Sequence, residues 1–548
     1  MSNKQMAPVK KDDLVTVSIT DMSEEGEGIG KADGFTLFIK DAVVGDEVTA
    51  KVIAVKKGYG YGKVMEILKP SKDRVKPVCP VAAPCGGCQL QALSYESQLR
   101  FKGDKVKNHL ERIGHLTDVL VNDTIGMDGE GGCWHYRNKA QYPVRAGKDG
   151  QIKIGFYAGR THSIIESDKC FIGMPINEKI VSIVRQWMID LKVRPYKEED
   201  NSGMVRHIMI RSAYFTGEVM VCLVVNSDKM KNPVKKELVK RLSVLSEIKS
   251  ICLNINTDKT NVILGKKMEE LYGPGYITDT IGDIRYRISA QSFFQVNPLQ
   301  TKKLYDTALS YAGLTGEETV WDLYCGTGTI SLFLAQKAKK VYGVEIIPAA
   351  IDNARINAKN NGFDNTEFYV GKAEEVLPRL YKEKGIHADV IVTDPPRKGC
   401  EEIVLSTMVS MAPERIVYVS CDSATLARDL KILEDAGYYK SIRRNASAYI
   451  KTLYNFIING QAISKLKEYE DKYEHIFPEV DVHFKQMDYN GSEAAISVTF
   501  SGNDRDALLS AAEKLKRYMS GMSTSLKWVH SDCDSFTPCV DIKLAADE

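Results

Sequence analysis

Hydrophobic and polar residues alternate in short runs near the beginning of the chain, and glycine-bearing turns separate these runs. The apolar runs are LVTVSIT, FTLFIK, EVTAKVIAV and GKVMEIL, and the turns include EEGEGIG and KKGYGYG. Alternation with a period of two predicts half-buried strands, and several short strands at such spacing predict a small barrel. We therefore expect an OB-like β-barrel over residues 8–69.

The following stretch, residues 70–275, lacks a regular alternation of strand and helix patterns. It contains a cysteine-rich segment, the apolar runs MVRHIMIRSAYF, EVMVCLVVN and SICLNIN, and the helix-like run VKKELVKRLSVL. Such a mixture predicts a central α+β module.

The pattern changes at about residue 276, where apolar strands begin to alternate with helices. The strands are TVWDLYC, KVYGVEI, EFYVG, ADVIVTDPP and RIVYVSC, and the helices include ISLFLAQKA and AAIDNARINAKNN. Continuous apolar strands between helices predict a doubly wound parallel sheet, here over residues 276–460. The predicted fold class is therefore α/β.

The last stretch, residues 461–548, predicts an additional small α/β unit. The run AAISVTF is typical of a strand, and DRDALLSAAEKLKRYM is typical of a helix. The unit has a ferredoxin-like appearance, and the sequence assigns no function to it.

Length and composition limit the classes of protein to which this chain can belong. Its 548 residues exceed a single core and predict three or four domains. A hydrophobic content of 43% with 27% charged residues excludes an intrinsically disordered chain. The start MSNKQMAPVKKDD is polar, and no segment approaches the roughly 20 apolar residues that span a bilayer. We therefore expect no membrane contact and a cytoplasmic location.

Charge indicates a nucleic-acid partner only locally. The formal net charge of +2 shows that acidic and basic residues almost cancel over the whole chain. Residues 51–76, however, carry eight basic side chains and only two acidic ones. This segment can follow a phosphate backbone, and a solvated charged surface is the alternative interpretation.

The run WDLYCGTGTI predicts a nucleotide-binding loop. It places Asp322, Gly326 and Gly328 at a turn from a strand to a helix, where a ligand can approach the backbone closely. Seventeen residues after Gly328, Glu345 ends the strand VYGVEI and can accept hydrogen bonds from ribose hydroxyls. These features alone also fit a dinucleotide-dependent dehydrogenase.

A second motif at the end of a strand argues against a dinucleotide-dependent dehydrogenase. IVTDPPRKG places Asp394 before two prolines at the carboxyl end of a later strand, which is typical of S-adenosylmethionine (SAM)-dependent enzymes that methylate bases. Tyr324 lies inside the glycine-bearing loop. Its role can be packing alone, but this position favours contact with the cofactor.

Cys421 is the candidate nucleophile. In YVSCDSATLARDL it follows an apolar strand directly and precedes a predicted helix. Amide groups at a helix N-terminus stabilise a thiolate. A single cysteine is more often an inert buried thiol, but its place at the same sheet edge as the predicted cofactor site favours a nucleophile.

Several motifs together resemble the uracil-C5 RNA methyltransferase family, whose bacterial members modify 23S ribosomal RNA or the T-loop of transfer RNA. The resemblance extends from about residue 10 to about residue 437 and includes a TRAM-like barrel. Its motifs are YRNKAQYPV, SFFQVN, DPPRKG and SCDSATLARD. It implies a SAM methyltransferase domain at the parallel sheet.

The resemblance also implies roles for individual residues. Gln295, Tyr324, Glu345 and Asp394 bind SAM, and Cys421 adds to C6 of the uracil so that C5 can attack the methyl group. A base then removes the C5 proton, which allows the thiolate to leave. The target uridine must leave its stack, so we expect base flipping.

Four cysteines are grouped in a way that predicts a metal site. Cys79, Cys85 and Cys88 form CPVAAPCGGC, and Cys170 lies downstream in ESDKCFIG. The spacing alone fits either an iron–sulfur cluster or a structural zinc. Similarity to the cluster-bearing branch of the family implies a 4Fe–4S cluster, which we expect to order the RNA-binding module and to do no redox chemistry.

The chain departs from the family after the nucleophile. A segment like DMFPxTxHVE, whose glutamate serves as the base, is expected about 35 residues later. Between Ala436 and Lys467 this chain has no Asp, Glu or His, and Phe456 stands near the expected glutamate. A base from the C-terminal unit, slow resolution of the adduct and a disrupted reading frame remain as explanations.

The sequence therefore predicts a 23S ribosomal RNA uracil-C5 methyltransferase that binds RNA, SAM and a 4Fe–4S cluster. A transfer-RNA methyltransferase is one alternative. A non-catalytic RNA-binding homologue is another, because the expected base segment is missing. No sequence feature demands an oligomer or an obligate protein partner, so we expect a monomer.

Overall fold

The computed structural model describes residues 7–438 except 118, 128–132, 148–149 and 168, together with four strands within residues 481–545. The chain divides into two compact units, residues 1–431 and residues 432–548. In the described part of the chain, no helix is both long and apolar enough to cross a membrane.

The first five strands close into the expected barrel, in the order β1-β2-β3-β5-β4. They are β1 (Leu14–Met22), β2 (Gly28–Ala32), β3 (Phe35–Lys40), β4 (Glu47–Val55) and β5 (Tyr59–Lys69). Alternate residues point inward, and Val17, Leu37 and Val48 are buried. A Cβ at Gly30 would lie 2.3 Å from Cγ1 of Val17, so this packing requires glycine.

The central module contains α1 (Tyr95–Arg112) and a seven-stranded sheet in the order β12-β11-β10-β9-β6-β7-β8. Its strands are β6 (Lys139–Ala146), β7 (Ile152–Tyr157), β8 (Ile164–Glu166), β9 (Val205–Ser212), β10 (Val219–Val225), β11 (Ile248–Ile255) and β12 (Lys267–Tyr272). Its other helices are α2 (Ile176–Asp190) and α3 (Asn232–Leu242).

Every residue of β9 and β10 is buried, because the two sides of the sheet are covered by different partners. On one side, Trp187 of α2 and Leu238 of α3 complete an apolar core. On the other side, Met209, Met220 and Cys252 join the core of the domain that follows. The central module and the parallel-sheet domain therefore share one continuous core.

The next domain is the predicted doubly wound sheet, preceded by a hairpin and a helix. These are β13 (Tyr276–Ile281), β14 (Ile284–Ser289) and α4 (Pro298–Ala312). The sheet strands are β15 (Thr319–Leu323), β16 (Lys340–Glu345), β17 (Thr366–Val370), β18 (Val390–Thr393) and β19 (Arg415–Tyr418). The helices are α5 (Thr329–Ala335), α6 (Pro348–Asn360), α7 (Ala373–Lys384), α8 (Glu402–Met411) and α9 (Ser423–Asp435).

All neighbours in this five-stranded sheet are parallel, and their order is β17-β16-β15-β18-β19. From β15 the chain adds β16 and then β17 on one side. It then returns to the centre of the sheet and adds β18 and β19 on the other side of β15. Ligands of such folds bind at this switch point, beyond the carboxyl ends of the strands. The fold thereby places the ends of β15, β16, β18 and β19 around one crevice.

The second unit contains an antiparallel sheet in the order β20-β21-β23-β22. Its strands are β20 (Asp481–Tyr489), β21 (Glu493–Ser501), β22 (Ser523–His530) and β23 (Pro538–Ala545). The predicted strand AAISVTF falls within β21. The predicted helix after it and most of the segment between Ala436 and Lys467 lie outside the described residues.

Candidate active site

The glycine-bearing loop follows β15 and turns the chain into α5. Tyr324, Gly326 and Gly328 have positive φ angles of 64°, 56° and 80°. Gly328 also approaches α6, because an added Cβ would lie 3.1 Å from the Cβ of Ala354. The positive φ and this close approach explain why glycine is required there.

Glu345, at the end of β16, lies beside this loop. The backbone N–H of Gly326 donates to its Oε2 at 3.2 Å, and the N–H of Ile347 donates to its Oε1 at 3.0 Å. Each carboxylate oxygen has a further lone pair that can accept a hydrogen bond from a ligand hydroxyl. The position fits the predicted contact with a ribose.

Two further carboxyl groups lie at the switch point. Burial raises the pKa of Asp394, at the end of β18, to about 6. Burial, together with the charges of Asp394 and Glu345, raises the pKa of Asp322, in β15, to about 7. The hydroxyl of Ser331 donates to Oδ2 of Asp322. The buried Oδ1 of Asp322 has no hydrogen-bond partner among the described residues.

These carboxyl groups form a site of negative potential that suits a positively charged ligand. SAM carries a positive sulfonium and an amino group, which suit a negative potential, and ribose hydroxyls, which can donate to carboxylate oxygens. Tyr324 lines the same loop, and burial raises the pKa of its hydroxyl above the ordinary range. The three predicted residues Tyr324, Glu345 and Asp394 thus lie at one sheet edge.

Gln295 lies in the loop before α4, and its backbone is fixed by the central module. The side-chain amide of Asn138 donates to the Gln295 carbonyl at 2.9 Å, and the Asn138 N–H donates to the Val296 carbonyl at 3.0 Å. The motifs YRNKAQYPV and SFFQVN are therefore bound to each other. In the same loop, Phe293 is 67% exposed, and its ring is available to a partner.

Cys421 is exposed, and it lies between β19 and α9. Oδ1 of Asp422 caps α9 by accepting from the N–H groups of Ala424 at 3.0 Å and Thr425 at 3.2 Å. The Ser420 hydroxyl donates to the Asp422 carbonyl at 2.8 Å. These bonds fix the turn on both sides of the thiol. Since β18 and β19 are neighbours, the thiol shares its sheet edge with Asp394.

An ion pair between the half-exposed Arg428 and the buried Asp429, which the sequence did not predict, lies behind this edge. Asp429 of α9 is fully buried and accepts hydrogen bonds from the Cys400 N–H at 2.8 Å, the Tyr418 hydroxyl at 2.6 Å and Nε of Arg428 at 2.7 Å. The contacts join the DPPRKG loop to the helix that follows Cys421. The one sequence signal for these contacts is the charged pair Arg428 and Asp429, which interrupts the apolar pattern of the helix.

The four grouped cysteines are half-buried. Burial raises the pKa of the Cys88 thiol, and the nearby thiols of Cys170, Cys85 and Cys79 raise it further. Burial likewise raises the pKa of Cys170. The thiols are therefore electrostatic neighbours. Within the part of the chain that the structure describes, however, no group of three His, Cys, Asp or Glu side chains is close enough to hold a metal ion.

The cysteine segment is also joined to the barrel. Nζ of Lys40, at the end of β3, donates to the carbonyl of Ala83 at 2.6 Å, and Ala83 lies between Cys79 and Cys85. On the far side of the segment, Cys85 pairs with Ala158 in an isolated β-bridge. The predicted metal segment thus lies between the barrel and the central sheet.

An open parallel sheet with a glycine-bearing loop and an acidic switch point is the architecture of a SAM-dependent methyltransferase. Comparison with known families agrees with this class. Residues 134–446 match the tRNA (Uracil-5-)-methyltransferase family, and residues 9–65 match the TRAM domain. The chain belongs to the RNA uracil-5-methyltransferase family, and it is a SAM-dependent RNA (uracil-5-)-methyltransferase.

Relatives cover most of the chain. A protein from Halalkalibacterium halodurans described as an RNA methyltransferase is 52% identical over 437 residues, which is 80% of this chain and 94% of that protein. Another RNA methyltransferase, from Clostridium acetobutylicum, is 52% identical over 438 residues, or 79% and 94% of the two chains. The Pyrococcus abyssi tRNA (uracil-54, C5)-methyltransferase, solved with S-adenosyl-L-homocysteine, is 25% identical with a TM-score of 0.60 and covers 76% of this chain and 92% of its own.

Proposed function

We propose that the chain methylates C5 of a uridine in 23S ribosomal RNA and that Cys421 is the nucleophile. The supporting observation is the exposed Cys421 thiol at the sheet edge that also carries Tyr324, Glu345 and Asp394. A thiol that reacts with a base in a large polymer must be open to solvent before the polymer binds. The buried thiols of the same domain, Cys325 and Cys400, lack that access.

In this proposal Gln295, Tyr324, Glu345 and Asp394 hold SAM. The carboxylate of Glu345 accepts from the ribose hydroxyls, and the negative potential at Asp394 attracts the positively charged end of the ligand. SAM supplies an electrophilic methyl group when it is bound. The buried position of Asp394 keeps water away from that charge and so strengthens the attraction.

The reaction begins with addition of the Cys421 thiolate to C6 of a flipped-out uracil. The new sulfur–carbon bond moves the electron pair of the C5–C6 double bond toward the C4 oxygen, which makes C5 nucleophilic. After C5 has taken the methyl group, a base must remove the C5 proton. The electrons of that C–H bond then restore the double bond and expel the thiolate.

We further propose that this last step is slow, because no Asp, Glu or His lies between Ala436 and Lys467. Most of that segment is outside the described residues, so the proposal depends on the sequence alone. The covalent adduct should then accumulate. Methylated product should appear at a rate well below the roughly 1–1,000 s⁻¹ of ordinary enzymes.

A denaturing gel tests both proposals. The protein is incubated with SAM and a uridine-bearing fragment of 23S ribosomal RNA, with Cys421→Ser as the matched control. We expect a covalent protein–RNA band that requires Cys421 and slow release of 5-methyluridine. Free 5-methyluridine at ordinary rates would contradict slow resolution, and methylation by the serine variant would contradict the role of Cys421.

The barrel provides a surface that suits RNA. On β3 and β5, the rings of Phe38, Tyr59 and Tyr61 lie with centroids 5.5–5.9 Å apart. Lys63 follows on the same face, and the Arg160 guanidinium lies 5.3 Å from the Tyr61 ring centroid. Aromatic rings next to basic groups can stack on bases while the cations contact phosphates. We call this surface, formed by these five residues, the aromatic face.

A transfer RNA is the second candidate substrate. It is supported by the similarity to the Pyrococcus abyssi enzyme, whose described substrate is uridine 54 of tRNA. Ribosomal RNA is supported by the grouped cysteines, since the resemblance to the ribosomal branch depends on them. Mass spectrometry of 23S RNA and tRNA from cells with and without this chain distinguishes the two. Loss of 5-methyluridine from tRNA alone would overturn the ribosomal proposal.

We propose that Cys79, Cys85, Cys88 and Cys170 hold a 4Fe–4S cluster. The support is the spacing of these cysteines in the sequence and the mutual electrostatic influence of their thiols, since four thiolates suit an iron–sulfur cluster as well as zinc. In the described structure no three of them are close enough to hold a metal ion, so the cluster would have to draw them together. The cluster would order the segment between barrel and central sheet. Anaerobically purified protein should contain iron and acid-labile sulfide in equal amounts, whereas stoichiometric zinc without sulfide would overturn the proposal.

The cytoplasmic location and the monomeric state of the protein also remain predictions.

A further inference from the structure

A hydrogen-bonded chain connects the barrel with the helix that follows Cys421. Nε2 of His109, in α1, lies 2.8 Å from Oε1 of Glu24, and Nδ1 of His109 lies 2.8 Å from Oγ of Ser423. Glu24 belongs to the loop between β1 and β2, and Ser423 is the first residue of α9. The imidazole therefore bridges two regions that are far apart in sequence.

The partners determine which atoms carry protons. An ionised Glu24 carboxylate can only accept, so Nε2 of His109 carries a hydrogen and donates to it. In a neutral imidazole Nδ1 then has a free lone pair and accepts from the Ser423 hydroxyl. The only other charged group that meets this pair among the described contacts is Lys105, whose Nζ lies 3.4 Å from Oε2 of Glu24.

The His109 side chain is 11% exposed, and apolar packing holds α1 against α9 near it. Leu110 and Leu116 form a small core with Ala427. An added Cβ at Gly114 would lie 2.9 Å from the Ala427 carbonyl, so the two backbones approach closely. The backbone that carries His109 is therefore held against α9.

The barrel loop is fixed at its other end as well. Arg160, in the turn between β7 and β8, donates to Glu25 at 2.8 Å and to Glu27 at 3.1 Å. The loop carrying Glu24 is thus anchored to the central module on one side and to His109 on the other. This gives Glu24 a defined position although its side chain is 60% exposed.

We infer that His109 is a positioning residue for Cys421, acting through the Ser423 hydroxyl and fixed by Glu24 of the barrel. Cys421 stands two residues before Ser423, at the entry to the helix turn that His109 holds. A fixed first turn keeps the thiol in one orientation toward the substrate, which favours addition. The inference rests on the proposed role of Cys421.

The experiment measures the reactivity of Cys421 in the full-length protein in two ways. The first is alkylation by iodoacetamide, quantified at the Cys421 peptide by mass spectrometry, which needs neither RNA nor SAM. The second is the single-turnover rate of adduct formation with the 23S fragment; kcat here denotes its maximal rate at saturating RNA, and KM denotes the RNA concentration that gives half of that rate. If Cys421 of the wild-type protein is alkylated but forms no adduct with RNA, the proposed function fails. The alkylation rates of the variants still test the positioning role of His109 in that case.

Two substitutions of His109 separate its two contacts. Asparagine places an amide near the position of Nδ1 and keeps a partner for Ser423, whereas glutamine places one near Nε2 and keeps only the Glu24 contact. We expect His109→Gln and Ser423→Ala to lower the alkylation rate and kcat by about tenfold with unchanged KM for RNA, as loss of one hydrogen bond implies. His109→Asn and Glu24→Gln both keep a partner for Ser423, so each should stay within about twofold of wild type.

His162→Gln is the matched control, because His162 also pairs with a carboxylate, that of Glu198 at 3.0 Å, but lies on the surface of the central module. It should change neither rate. Thermal melting of each variant identifies a loss of folding, and Ser423→Ala removes only one oxygen from a half-buried side chain. Wild-type alkylation and kcat in Ser423→Ala and His109→Gln would overturn the inference, as would an equal loss in His109→Asn and His109→Gln.

Discussion

The two halves of the catalytic sheet edge differ in how completely the protein encloses them. Around β15, β16 and β18, carboxyl groups are buried enough that the pKa values of Asp322 and Asp394 rise to about 7 and about 6. Beyond β19, the Cys421 thiol is exposed, and hydrogen bonds of its own turn and of the first turn of α9 hold that turn in place. A small cofactor can be surrounded by protein, whereas a base within a large RNA cannot. In the proposed function, the RNA therefore completes the half that carries Cys421.

The strongest test of this contrast is Cys421→Ser. A serine hydroxyl is a far weaker nucleophile than a thiolate, so methyl transfer to RNA should fall by about ten-thousandfold or more. SAM affinity, measured by calorimetry, should stay within about twofold, because the enclosed half is untouched. A parallel loss of SAM binding would show that the two halves are not independent.

The next largest effect is expected for Asp394→Asn, which should weaken SAM binding by about a hundredfold at pH 8 through loss of a charge in an enclosed site. Because the pKa of Asp394 is raised to about 6, its carboxyl is neutral below that pH and ionised above it. Affinity of the wild type for the cationic ligand should therefore increase between about pH 5 and pH 7.

The asparagine variant should lose this pH dependence. Asp364→Asn, at an exposed carboxylate of the same domain, is the control and should follow the wild-type curve. A pH profile that persists in Asp394→Asn would assign the titration to another group.

A smaller effect is expected at the aromatic face, which lies outside both halves. Tyr59→Ala should weaken binding of the 23S fragment by about tenfold, since stacking on one base contributes roughly 1–3 kcal/mol. SAM affinity and iodoacetamide reactivity of Cys421 should not change. Tyr311→Ala, at a tyrosine of α4 that is 59% exposed, is the control in a filter-binding measurement. Equal RNA affinity of the Tyr59 variant would remove the aromatic face from the interface.

The smallest effect concerns stability. The pKa of Asp322 is raised above its unfolded value of 3.8 to about 7, so the folded state binds this proton more tightly than the unfolded chain. Its contribution favours folding at low pH and is lost as the pH rises from about 4 to about 7. Asp322→Asn replaces the ionisable carboxyl by a neutral amide and so avoids this loss of stability at high pH. The melting temperature should therefore rise by a few degrees at pH 8 but not at pH 4. A higher melting temperature at both pH values would point to packing instead.

The sequence predicted those features that depend on local patterns. Strand and helix periodicity gave the barrel and the doubly wound sheet, and the strand ends placed Tyr324, Glu345, Asp394 and Cys421 at one edge because parallel strands end on the same side. The predicted domain boundaries and residue roles stay predictions.

Contacts between distant segments were not predictable in the same way. His109 and Ser423 are 314 positions apart, and His109 and Glu24 are 85 apart, so no local period joins them. The same reason applies to Asn138 and Gln295, which are separated by 157 positions. A single sequence contains no record of such pairs, whereas the folded chain brings them within bonding distance.

The bond from Lys40 to the Ala83 carbonyl connects the proposed RNA surface of the barrel with the proposed cluster segment. Lys40 continues the strand that bears Phe38, and Ala83 lies in the cysteine segment. If binding of the cluster changes the affinity of the protein for RNA by some factor, thermodynamic linkage requires bound RNA to change the affinity for the cluster by the same factor. Ribosomal RNA would then act as a protectant of the cofactor, and exposure to oxygen would be most damaging to the enzyme between substrates.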